Sequence, residues 1–166
     1  AADRETQMSN KLNRIAKKRR AHGKGKSSSA SGKSGLLNIK GQGQFEREVL
    51  EADVPVIVDF WAPWCQPCKM MGPVFEAVGK ELEGKVKMVK VDTQANPSLA
   101  KAFNIASIPA LLVFDRGEVI DARIGVTPKP HLHSLAQRAL DKHNKVGLLG
   151  KVKRMFNSDA KSEAVA

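Results

Sequence analysis

The stretch VDFWAPWCQPCK, residues 58–69, carries two thiols separated by two residues, directly after an apolar run that contains a carboxylate, Asp59. Cysteines at this spacing have several chemical uses, so the surroundings must decide between them. Here the pair follows a strand-like run and opens a helix-like one. Cys65 then stands at a helix N-terminus, where free N–H groups and the positive end of the macrodipole favour thiolate over thiol. That makes Cys65 the candidate nucleophile. Cys68, one turn further on, is placed to attack a mixed disulfide formed on Cys65 and release the product, so it is the candidate resolving thiol. A base near Cys68 would speed that second step, and Asp59, with a pKa raised by burial, is the candidate. Lys90 shares strand parity with Val86 and Met88, which points it inward toward Asp59 and would couple the two titrations.

Blander readings of the same residues stand beside these. Two cysteines are half a zinc site, but the histidines, His22, His131, His133 and His143, lie far along the chain, and zinc wants four ligands. No metal is expected. The thiols could be inert core residues, although a Trp-Cys-x-Pro-Cys-Lys sequence at a strand end reads as an exposed turn. Asp59 alone could cap backbone at a strand end, and Lys90 alone could be a solvated strand residue.

The elements that must position the pair follow from hydrophobic period. FEREVL, residues 45–50, places apolar residues at i, i+4 and i+5 and predicts a short helix. VPVIVDFWA, residues 54–62, is nearly continuously apolar, as a central strand covered on both faces should be. From Cys68, the residues Met71, Val74, Phe75, Val78 and Leu82 keep a helical rhythm, with Pro67 in the first turn, Gly84 as a stop and Pro73 predicting a kink. KVKMVKV, residues 85–91, is a strand. Asn96-Pro97 is expected to cap a short helix through Phe103. IPALLVF and VIDARI, joined by the turn Asp115-Arg116-Gly117-Glu118, make an antiparallel pair. The last predicted helix runs from about Thr127 to His143 on a stripe of Leu132, Leu135, Ala136, Ala139 and Leu140. With patterned sequence beginning at Leu36, ahead of the first helix, the order β, α, β, α, β, α, β, β, α implies an α/β fold with a mixed central sheet and helices on both faces.

One globular domain fits the 166 residues and their 42% hydrophobic content. The net charge of +11 resides at the ends. Residues 1–40 hold 11 Lys/Arg against 2 Asp/Glu, residues 41–145 hold 13 against 13, and residues 146–166 hold 4 against 2. Residues 1–35 therefore read as a disordered basic tail, with Met8, Leu12, Ile15 and Ala16 at the spacing of a short cationic amphipathic helix. Residues 36–145 form the domain. Residues 146–166 are a basic amphipathic extension with Leu148, Leu149, Val152, Met155 and Phe156 on one helical side. Either end could make weak, non-specific contact with nucleic acid or an anionic membrane. No run reaches the roughly 18 apolar residues of a membrane span, no secretory signal is recognisable and no multi-disulfide framework is present, so a reducing, cytoplasmic setting is expected. The chain opens on Ala1; Met8 reads as a natural start after a short remnant, or the chain as a trimmed precursor.

From Leu36 to His143 the chain resembles the thioredoxin family. The likeness is carried by VDFWAPWCQPCK, KVDTQANP at residues 90–97, SIPALLVF at residues 107–114, the turn Arg116-Gly117-Glu118, and Gly125. KMMGPVFEAV and KVDTQANPSL are similar to the second bacterial type, whose four-cysteine zinc module is absent. The resemblance implies that Cys65 and Cys68 are the redox pair, Asp59 the buried acid, Lys90 its neighbour, Trp61 and Trp64 the indoles beside the site, and Pro109 a cis-proline facing the cysteines. It further implies that Trp64, Pro67, Ile108 and Gly125 line the surface that receives substrate proteins. The activity implied is reduction of protein disulfides by a monomer that binds no cofactor and is recharged from NADPH by a flavoprotein thioredoxin reductase. Two residues depart from the family pattern: Gln66 stands where Gly is usual, and Ala110 where Thr commonly follows the cis-proline. A disulfide oxidant or isomerase is the alternative chemistry, separable by redox potential. A binding module targeted by its basic ends is the non-enzymatic one.

Overall fold

The computed structural model describes the backbone of residues 36–159 and the side chains of residues 36–149. The expectations for the basic N-terminal tail therefore lie outside the described residues. Five strands form one sheet in the order β1-β3-β2-β4-β5. They are β1 (Leu37–Asn38), β2 (Val56–Trp61), β3 (Lys87–Asp92), β4 (Ala110–Asp115) and β5 (Glu118–Ile124). β1, β3 and β2 run parallel, while β4 and β5 are antiparallel to their neighbours. The mixed sheet expected from the element order is present.

β2 is central because its side chains are apolar on both sides. Val58 and Phe60 enter one core with Phe45, Val49, Val91, Leu99 and Phe114, whereas Ile57 enters the other with Met71, Phe75, Val78, Leu132 and Leu135. The first core is covered by α1 (Gln42–Phe45), which widens into a π-helical turn at Glu46–Leu50, and by α3 (Pro97–Ala102). Its rings interlock, with Phe103 lying 5.2 Å from Phe45 and 5.3 Å from Phe114 between centroids, the spacing at which tilted and edge-on aromatic pairs attract. The second core is covered by α2 (Gln66–Glu81) and α4 (Lys129–Asp159).

Three local expectations are corrected. Asn96 precedes α3 but its side chain caps nothing there. Instead its Oδ1 accepts from the Gly41 N–H at 2.8 Å and its Nδ2 donates to the carbonyls of Ile39 and Asp92, tying β1 to the β3 end. The helix expected over FEREVL is π-wound, since the Glu51 N–H reaches the Glu46 carbonyl at 3.0 Å. The last helix does not stop near His143 but continues to Asp159, so residues 146–159 prolong the domain's own helix. α2 runs unbroken through Pro73 and ends before Gly84, whose φ of +77° suits glycine.

Candidate active site

β2 delivers its C-terminal end to the first turn of α2, and the cysteines sit at that junction. Cys65 is the N-cap of α2, with extended backbone, and Pro67 occupies the first turn, where a missing N–H costs nothing. Cys65 and Cys68 are joined in a disulfide with their Cα atoms 5.3 Å apart, so the site is in its oxidised form. The Cys68 N–H donates to Cys65 Sγ at 3.3 Å. One of the otherwise unpaired first-turn donors is thus aimed at the sulfur proposed to become a thiolate.

The loop is less open than its composition implied. Cys65 and Cys68 are buried at 4% and 2% exposure against Ala62, Trp61 and Ile108, while Trp64 is 70% exposed. Gln66, Pro67 and Lys69 are also exposed. Across from them the Ile108–Pro109 peptide is cis, as the resemblance implied. The Pro109 carbonyl accepts the Gly125 N–H at 2.8 Å, which brings the β5 end beside the proline. Gly125 has φ +92° and no atom within 4 Å of where a β-carbon would stand, so it requires glycine and leaves the surface open. Ile124 and Val126 on either side are 64% and 49% exposed. Sequence reasoning did not single out these two; their signal was an apolar residue on each side of a glycine at a strand end.

Asp59 lies under α2. It has the parity of Ile57, which packs against that helix, and it pairs with Lys90 in the parallel register and with Leu111 in the antiparallel one. The residue is 0% exposed, and neither carboxylate oxygen has a hydrogen-bond partner among the described residues. Burial penalises the charged form and pushes the carboxyl up from 3.8 to about 7, a rise that the Lys90 ammonium partly offsets. Lys90 does point to the helix side: its Nζ lies 3.8 Å from where a β-carbon on Gly72 would stand and 4.5 Å from the Trp61 ring centroid. The indole face adds a cation–π attraction that holds the ammonium near the site. Asp59, Lys90, the cysteine pair, Trp61 and Ile108 therefore come together. Pro109 follows Ile108 in the chain and is hydrogen-bonded to Gly125, while Trp64 and Pro67 are exposed beside the cysteines.

This geometry can exchange electrons with an external disulfide. A pair of sulfurs that close on each other, an N–H directed at one of them and a carboxylate poised to change charge near neutrality supply nucleophile, leaving group and proton acceptor.

A family model described as thioredoxin matches residues 37–138. Thioredoxin 1 of Nostoc sp. is 48% identical over 99 residues, covering 60% of this chain and 89% of the relative. The thioredoxin of Porphyra purpurea is 49% identical over 90 residues, covering 54% of this chain and 84% of its own. In three dimensions the crystal structure of Malassezia sympodialis thioredoxin superposes with a TM-score of 0.60 at 30% identity, covering 69% of this chain and 99% of that one. A family match over most of the domain, and near-half identity across almost the whole length of relatives, agree with the fold and with the motifs at the sheet's end: this chain belongs to the thioredoxin family.

Proposed function

We infer that the chain reduces protein disulfides by dithiol–disulfide exchange, with Cys65 attacking and Cys68 resolving. In the reduced enzyme the Cys65 thiolate attacks one sulfur of a client disulfide. A Cys65–client bond forms, the client's own S–S bond breaks, and the departing client sulfur takes a proton from solvent. Cys68 then gives up its proton to the Asp59 carboxylate and attacks Cys65 Sγ. The Cys65–client bond breaks, the second client sulfur leaves as a thiolate and takes up a proton from solvent, Asp59 returns its proton to solvent, and the pair closes into the disulfide. Two electrons have passed from enzyme to client.

Lys90 stabilises the charged form of Asp59, and Trp61 fixes Lys90. Pro109, Ile108, Gly125, Trp64 and Pro67 form the surface on which the client lies. Return of the pair to dithiol requires an external reductant, for which a flavoprotein thioredoxin reductase drawing on NADPH is the fitting source, with no cofactor bound to this chain. A monomer working in the cytoplasm completes the reading. Among the described residues no helix is long and apolar enough to cross a membrane.

The observation that carries this reading is the Cys68 N–H aimed at Cys65 Sγ from the first turn of α2. It is tested by insulin reduction with Cys65→Ser and Cys68→Ser. Both are expected to lose turnover, and Cys68→Ser to accumulate a mixed disulfide on Cys65. Variants that match the unsubstituted chain would overturn it. Gln66 between the cysteines keeps the oxidant reading testable, because a pair poised well above the cytosolic thiol pool would oxidise clients; equilibration against glutathione reads that potential.

A further inference from the structure

We propose that the C-terminal half of α4 is a docking surface for an anionic phospholipid bilayer. α4 has 31 residues and so extends about 46 Å. Its first half packs on the sheet through Leu132, Leu135, Ala136 and Ala139, all buried. Further on, His143 Nδ1 meets Asp115 Oδ1 at 2.6 Å, and a β-carbon on Gly147 would lie 3.7 Å from Arg116 Nη2. Those residues mark the domain-facing side. Leu148 and Leu149 are 64% and 69% exposed. At 100° per residue their midpoint falls about half a turn away from that side. Val152, Met155 and Phe156 follow them at i+3, i+4 and i+7 spacing, in backbone that is helical to Asp159. Leu148 and Leu149 therefore point away from the domain, and the later apolar positions share their register along one continuous helix.

Charge selects what covers this line. Residues 142–158 contain Lys142, Lys145, Lys151, Lys153 and Arg154 and no Asp or Glu. A second copy of the same face would bring like charges together along its whole length. A nucleic acid would satisfy the cations but leave leucines, a methionine and a phenylalanine in water. An anionic bilayer meets both demands, since apolar side chains enter the headgroup boundary while flanking lysines face the phosphates. The second cationic segment, residues 1–40 with 11 Lys/Arg against 2 Asp/Glu, adds the kind of second signal that converts marginal surface binding into lasting attachment. The geometry leaves the redox site free: β4 starts beside Pro109 at the cysteine end, and α4 leaves the domain at its other end, by Asp115, about 20 Å away.

The full chain is tested by flotation with vesicles of phosphatidylcholine alone and of phosphatidylcholine mixed with phosphatidylglycerol. Binding is expected to the mixed vesicles and not to the neutral ones, falling to background in the double variant Leu148→Glu, Leu149→Glu. The separate double variant Lys151→Gln, Lys153→Gln should bind about thirtyfold more weakly, on the scale of one basic residue at a time near an anionic leaflet. Insulin reduction in solution should be equal in all three chains. Unchanged flotation of the Leu148→Glu, Leu149→Glu chain overturns the proposal, leaving the N-terminal segment as the sole contact. So does absence of binding to mixed vesicles together with a self-associated form, in sedimentation, that the same substitutions dissolve.

Discussion

Two buried aspartates mark the two ends of the sheet, and they are treated oppositely. Asp59, at the cysteine end, is fully buried and accepts no hydrogen bond among the described residues. Asp115, at the far end of β4, is 6% exposed, but His143 stands 2.6 Å from one oxygen and Arg116 Nη1 3.9 Å from the other. Arg116 also donates to the His143 carbonyl at 3.2 Å, so the cluster ties α4 to the β4–β5 turn. A buried carboxylate with partners holds elements together; one without them is held at a cost and changes charge easily. The same residue type thus serves cohesion at one end and, in the function proposed above, proton transfer at the other.

The largest expected effect separates the two. With its carboxyl raised from 3.8 to about 7, Asp59 keeps its proton in the folded chain at pH values where an unfolded chain has lost it. Below pH 3.8 both states are protonated and the residue is neutral to stability. As pH rises toward 7 the unfolded state sheds its proton first, so stability falls and stays lower above 7. Asp59→Asn should therefore be more stable than the unsubstituted chain by about 4 kcal/mol at pH 8 and equal to it at pH 3, as read by urea unfolding. The same variant should release client from the Cys65 mixed disulfide about a hundredfold more slowly above neutrality, where the native base is charged. A stability gap independent of pH would refute the view of Asp59 as a costly carboxylate.

At the opposite end the signs reverse. Asp115→Ala leaves the His143 ring without its buried hydrogen-bond partner and the Arg116 guanidinium without its ion-pair partner, and should destabilise the chain by about 2 kcal/mol. Insulin reduction below the unfolding temperature should be unchanged. If Asp115→Ala slowed reduction as Asp59→Asn does, the division of labour between the ends would be wrong.

The readability of these features in the sequence follows the range of the interactions behind them. The sheet strands and α2 were legible because their burial is written in period: VIVDFW is apolar on both parities, and Met71, Phe75 and Val78 return every helical turn. Cys65 at a helix N-terminus was legible because Pro67 and the apolar rhythm fix where α2 starts. Asn96 departs from expectation because a local rule makes it a cap, while its partners, Gly41 and Ile39, come from the β1 end of the chain. The Asp115–His143 pair leaves no pattern at all, being 28 residues apart with β5 and the first half of α4 between. The periodicity predicts too short an α4 because its apolar stripe changes sides after His143, so the amphipathic signal breaks where the helix does not. Gly147 and Gly150 cost about 1 kcal/mol each relative to alanine without ending it.

The smallest effect probes how far Asp59 is compensated. Lys90 lowers the carboxyl's pKa against the larger upward push of burial, and its ammonium is held over Trp61. Lys90→Gln removes the cation, whose Nζ is the atom that lies beneath Gly72, while keeping part of the aliphatic stem. The pH at which the stability gap between the Asp59 and Asp59→Asn chains stops widening should then move upward, and the pH midpoint of client release should move with it. The double variant Lys90→Gln, Asp59→Asn should release client with the pH profile of Asp59→Asn alone, because the lysine then has no carboxylate to act on. A shift that survived in the double variant would mean that Lys90 acts on the cysteines directly, and the contrast between an isolated carboxylate and a partnered one would lose its link to the chemistry.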